Sequence, residues 1–182
     1  RREGPFVIFS CASMPGELVL NELLGYEEGA YPKRSGSRPS KFELAQGGTL
    51  YFQDVEMLPL EAQAVLLNAL ELGVIQRLGS EHPTAVEVRV IASTSAKIEQ
   101  NIANGSFRSD LFYRLSTFSI NLPALRERPQ DIPLIAERIL KRMSAQLRRS
   151  LEFGPDVLEA LRKYSWPGNI RELEAVLGMA VA

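Results

Sequence analysis

The stretch Gly47-Gly48-Thr49-Leu50-Tyr51-Phe52-Gln53-Asp54-Val55-Glu56 decides how the rest of this chain is read. Its two glycines permit a turn. Leu50, Tyr51 and Phe52 then form an apolar run short enough for a buried strand. The run stops at Gln53 and Asp54, so polar groups stand at the strand's carboxyl end. In open α/β sheets that edge is where ligands bind.

Outward from this strand, Pro5–Cys11 (PFVIFSC) reads as a second buried strand and Val86–Thr94 (VEVRVIAST) as a third, rich in β-branched residues. Thr117–Leu122 (TFSINL) alternates apolar and polar residues and reads as a fourth. Helical patterns lie between them: Pro15–Leu24, Pro59–Leu72 closed by Gly73, Ala96–Asn104 closed by Gly105, and Arg108–Leu115. Strands alternating with helices predict a mostly parallel sheet. Gly25–Ser40 loses periodicity and gathers Gly, Pro and Ser with Lys33, Arg34 and Arg38, Lys41 standing just beyond. It reads as a long surface loop, functional or simply solvated.

The composition changes at Pro123–Pro133 (PALRERPQDIP), which places a boundary between an α/β part, 1–123, and a helical part, 124–182. The helical part carries three amphipathic patterns, Ile132–Arg149, Pro155–Tyr164 and Asn169–Val181. Trp166 is expected to pack this bundle onto the α/β part.

With 45% hydrophobic and 24% charged residues, the 182-residue chain can bury a proper core. A net charge of −1 gives no global field toward DNA or an anionic membrane. The single cysteine, Cys11, excludes an internal disulfide and fits a reducing cytoplasm. No apolar run is long enough to span a bilayer. His82 lies in a turn without the partners of a catalytic or metal site. The chain opens on Arg1 and stops within an apolar helical pattern, which reads as a piece of a longer protein.

Several motifs, in order, resemble the AAA+ domain of bacterial sigma-54-dependent transcription activators. Gly47–Glu56 resembles their metal-binding strand, Gly-Gly-Thr-Leu-Phe-Leu-Asp-Glu. Leu23–Ala30 (LLGYEEGA) resembles the start of their sigma-contacting loop. Gly105–Ile120 (GSFRSDLFYRLSTFSI) resembles the arginine-finger helix, Leu122–Ile132 the boundary segment, and Trp166–Leu173 (WPGNIREL) the sensor II helix. The resemblance covers nearly the whole chain. It implies a P-loop-type parallel sheet flanked by helices, with a small C-terminal helical lid bundle. The central first strand and its P-loop are expected to precede Arg1. None of the five lysines follows a glycine, so no phosphate-cradling Gly-Lys-Ser/Thr lies within the chain.

What the resemblance implies for chemistry is mixed. The metal-holding acid is replaced by Gln53 and the water-polarising glutamate by Asp54, one methylene shorter. The two family asparagines fall at Ser10 and Ser95. The arginines match: Arg108 and Arg114 stand at the finger positions that reach a neighbouring subunit's phosphates, and Arg171 at the sensor II position that contacts nucleotide. The loop Gly29-Ala30-Tyr31-Pro32-Lys33-Arg34 departs from Gly-Ala-Phe-Thr-Gly-Ala, keeping an aromatic but losing the threonine. Its wording resembles the branch regulating aromatic amino acid genes, while the damaged ATPase motifs resemble regulators of glycerol and dihydroxyacetone operons.

The expected function is therefore a central AAA+-like domain of a bacterial transcription regulator, cytoplasmic, acting in oligomerisation and signal relay with degenerate ATPase and sigma-contact motifs. The alternatives are an active Mg-ATPase remodelling sigma-54 polymerase, with its P-loop upstream, and a nucleotide-free scaffold. ATP and Mg belong to the full-length parent, with none assigned to this fragment. The implied partners are further copies of the chain, RNA polymerase or a sigma factor, and DNA through a domain beyond Ala182. The sheet is expected to show a slot between Val88–Thr94 and Thr117–Leu122 that is empty, closed up or filled from outside.

Overall fold

The computed structural model describes residues 3–30, 36–94 and 98–181. The chain divides into two units, Arg1–Ser119 and Ile120–Ala182.

The first unit is built on a parallel three-stranded sheet, with β2 (Thr49–Gln53) between β1 (Phe6–Ser10) and β5 (Arg89–Ala92). The registers pair Ile8 with Tyr51 and Tyr51 with Ile91. Both glycines of the decisive stretch are needed to enter β2. Gly47 sits at φ +70°, a conformation L-residues avoid, and a Cβ on Gly48 would stand 2.0 Å from the Pro5 carbonyl oxygen. That close approach lets Thr49 N–H donate to the same Pro5 oxygen at 2.8 Å, which starts the ladder.

Because side chains alternate along a strand, one face of the sheet takes Phe9, Leu50 and Phe52, all buried. Helices α1 (Gly16–Leu24), α2 (Lys41–Leu44) and α3 (Leu60–Leu72) supply Val19, Leu23, Phe42 and Leu66 to the same core. The Phe52 ring lies 5.5 Å from Phe9 and 6.3 Å from Phe42, centroid to centroid. Each such ring contributes about 1.5–3 kcal/mol of burial. Phe6, Ile8 and Ile91 are on the opposite face and are exposed.

The hairpin β3 (Val74–Ile75) and β4 (Thr84–Ala85) follows α3. Then come β5, α4 (Ile98–Ala103) and α5 (Ser109–Leu115). The third strand is thus shorter than the expected 86–94.

The fourth strand is a correction. Thr117–Leu122 is irregular, and Phe118, Ile120 and Leu122 are 92%, 85% and 83% exposed. Alternation alone does not make a strand, because its N–H and C=O groups need a ladder partner. Among the described residues, no strand pairs with the edge of β5 that faces away from β2. The slot is open.

The second unit holds α6 (Ile132–Leu147), α7 (Val157–Lys163) and α8 (Asn169–Val181). Pro133 lies in the first turn of α6, and Arg148 at φ 52° ends it. Leu125, Ile132, Ile139, Leu161, Leu173 and Leu177 form its core. Trp166, expected at the junction, is buried in this core, its Nε1–H donating to the Leu161 carbonyl at 2.7 Å.

Candidate functional site at the carboxyl edge of the sheet

Strand β2 delivers Gln53 and then Asp54 to the carboxyl edge, with Ser10 beside Gln53 in the register of β1. Asp54 has φ 57° and ψ 55°, a left-handed conformation that short polar residues tolerate. It opens a 3-10 turn, Val55–Met57, whose first N–H donates to the Ser93 carbonyl at 2.9 Å. Ser93 N–H in turn donates to Phe52 O at 2.9 Å, and its hydroxyl is 2.9 Å from the Tyr51 hydroxyl. The acid is therefore carried on backbone pinned to the end of β5.

Cys11 is buried at the same edge. Burial pushes its thiol up to about 12, and the charges of Asp54 and Glu56 add to the rise. Glu56 is a second carboxylate at this edge that the motif reading did not single out. Among the described residues no cluster of three or more His, Cys, Asp or Glu side chains could hold a metal ion.

Arg108 precedes α5, and its guanidinium forms two hydrogen bonds with the Asp110 carboxylate, at 2.7 and 3.0 Å. That guanidinium holds the Asp110 carboxyl below the usual carboxylate range. Arg114 donates to the Leu70 carbonyl near the end of α3 at 2.9 Å. Both side chains thus have partners within this chain. The backbone of Arg108 is bound elsewhere: its N–H donates to Gln63 Oε1 at 2.8 Å. Sequence reading missed Gln63, because a lone glutamine on a helix carries no motif. Arg171 is exposed in the first turn of α8, in the second unit. Ser95 lies outside the described residues, as do Tyr31, Pro32, Lys33 and Arg34 of the loop.

The base of that loop is well defined. Tyr26 and Arg38 exchange backbone hydrogen bonds at 2.8 and 3.0 Å, and Glu27 N–H donates to Leu78 O at 2.9 Å. Gly29 is exposed at φ +87°, and Ala30 lies against Gly79. On the far side, Ser40 and Glu43 cap α2 reciprocally at 2.9 Å each. Arg77 joins the two ends: it binds Glu43 through two nitrogens at 2.5 and 2.9 Å and Glu27 at 3.1 Å. The hydrogen bonds from Arg77 hold the Glu43 carboxyl down at about 2. Glu22 closes the outer side with Arg38 at 2.5 Å and Lys41 at 3.5 Å.

Residues 1–121 match the Sigma-54 interaction domain and residues 126–182 the AAA+ ATPase lid domain. The chain belongs to the sigma-54 interaction domain family. It is 48% identical over 181 residues to the nitric oxide reductase transcription regulator NorR1 of Cupriavidus necator, covering 99% of this chain and 35% of that protein. It is 42% identical to the DNA-binding transcriptional activator HyfR of Escherichia coli, covering 100% and 27%. Among solved structures, NtrX from Brucella abortus in complex with ATP superposes with TM-score 0.86 at 36% identity, over 96% of this chain and 38% of that one. The same protein in complex with ADP superposes equally well, at TM-score 0.86. The chain thus spans about a third of the length of the relatives it matches. The sheet, its flanking helices and the helical lid are those of an AAA+ ATPase domain.

Proposed function

We propose that this chain is the nucleotide-dependent central module of a longer, cytoplasmic bacterial regulator of sigma-54 transcription. Residues 1–123 are its base and 124–182 its lid, and copies assemble through the AAA+ interface. The observation that carries the reading is Asp54 at the carboxyl end of the middle strand, on a turn hydrogen-bonded to Ser93. NtrX, crystallised with ATP and with ADP, supports nucleotide binding over the nucleotide-free scaffold.

Asp54 is the residue that polarises water. Gln53 and Asp54 together offer an amide oxygen and a carboxylate. Mg2+ needs only one or two carboxylates when water and substrate phosphates complete its octahedron, so the pair fits a metal carried in with ATP. The metal would neutralise charge on the phosphates. With an amide at Gln53 and a shortened acid at Asp54, hydrolysis is slower than in relatives with Asp-Glu. Arg108 and Arg114 address the phosphates bound by a neighbouring copy, which requires each to leave its present partner. Ser95 and Arg171 contact the nucleotide. The loop Gly29–Arg34 meets the sigma factor or RNA polymerase, and DNA is bound by a domain beyond Ala182.

The test uses the full-length regulator. A fluorescent ATP analogue binds, and Mg-dependent phosphate release falls on the order of 10²-fold or more in Asp54→Ala. The pair Gln53→Asp with Asp54→Glu raises turnover. A full-length protein that binds no nucleotide returns the chain to the scaffold reading.

A further inference from the structure

Among the described residues, Gln63 is the one glutamine in the first unit's core, 0% exposed, on the first turns of α3. A buried primary amide is costly unless its polar atoms are satisfied. Here both donor positions are used: Nε2 donates to the Leu58 carbonyl at 2.8 Å and to the Ser106 carbonyl at 2.9 Å. Oε1 accepts the Arg108 N–H at 2.8 Å. Two carbonyls on one side and an N–H on the other permit only one orientation of the amide. Leu58 closes the 3-10 turn that begins at Asp54. Ser106 and Arg108 flank Phe107, which is buried, and Leu111 one turn further on anchors α5. One side chain therefore bonds the segment carrying the acid to the segment carrying the arginine. The Arg108 guanidinium, by contrast, is paired among the described residues to the exposed Asp110 carboxylate.

We propose that Gln63 is a positioning residue that couples the Asp54–Leu58 turn to Arg108, so that a shift of the turn on nucleotide binding resets the finger offered to the neighbouring copy. This rests on the assignment of Arg108 made above. Leu58 and Ser106 lie on opposite sides of Gln63 in sequence, and its amide bonds both. Loss of the amide frees the Arg108 backbone without touching Asp54, Phe107 or Leu111.

The test is hydrogen exchange and steady-state kinetics on the full-length regulator. In Gln63→Met, which keeps shape but none of the three bonds, exchange at the Arg108 amide rises at least tenfold without nucleotide. With ATP, kcat falls about tenfold and KM stays within twofold. The same substitution is silent on an Arg108→Ala background. Unchanged exchange, or an equal loss of kcat on that background, overturns the coupling. Should Gln63→Met not fold, the unmodified protein decides: an ATP analogue must change exchange at 56–58 and at 106–109 together, and a change at the first alone overturns the proposal. If Arg108→Ala leaves turnover intact, the assignment of Arg108 falls, while exchange in Gln63→Met still reports whether the amide holds that backbone.

Discussion

Neutralising Glu43 tests the clasp at the base of the 25–40 loop. Arg77 lowers the Glu43 carboxyl from an ordinary 4.5 to about 2. At about 1.4 kcal/mol per unit, that displacement corresponds to roughly 3 kcal/mol as an upper bound. The side chains are 23% and 19% exposed, so water screens part of it, and a pairwise coupling of about 1–2 kcal/mol is expected. Urea unfolding of the unsubstituted protein, Glu43→Gln, Arg77→Met and the double variant isolates that coupling. The sign with pH follows from a depressed carboxyl. Its stabilisation is complete above 4.5 and drains away as pH falls from there through about 2. The coupling is therefore full at pH 7, and less than half of it survives at about pH 3. A coupling under about 0.3 kcal/mol at pH 7, or one that persists to pH 2, would refute the clasp.

Three further outcomes are expected. Arg108→Ala removes an exposed pair and leaves the unfolding curve unchanged, whereas Arg114→Ala loses the bond to Leu70 O and costs about 1 kcal/mol; unfolding curves for both decide. Gly48→Ala drives a Cβ to 2.0 Å from backbone and is expected to cost more than about 3 kcal/mol, so an unchanged melting temperature would contradict the closeness of Pro5. Ile91→Lys, on the exposed face shared with Phe6 and Ile8, is expected to reduce self-association measured by sedimentation.

Three strands were legible because each is an apolar run with Phe9, Leu50, Phe52 or Val90 turned to one core. Thr117–Leu122 carried the same alternation and failed, since a strand is a relation between two segments and alternation reports only one. The hairpin β3–β4 is two residues a side, too short for any period to show. Gln53 ends β2, Asp54 follows it, Arg108 precedes α5 and Arg114 lies within it, positions that the motif pattern anticipated without testing their roles. The pattern was silent on Gln63, whose partners are backbone atoms up to 45 residues away, and on the Arg77–Glu43 pair, separated by 34. Such contacts exist only once the chain has folded.

The chain's only thiol is also its quietest group. Cys11 is 2% exposed, its proton is held up to about 12, and it sits on the turn after β1, beside the acid edge of the sheet. Only thiolate reacts with disulfide reagents, so the native state is silent and the opened state is not. Modification of Cys11 is then a clock for how often the edge comes apart. Under a large excess of reagent its rate approaches the opening rate, and under scarce reagent it reports the open population. Slowing of that clock by nucleotide would measure how firmly a ligand holds this edge closed.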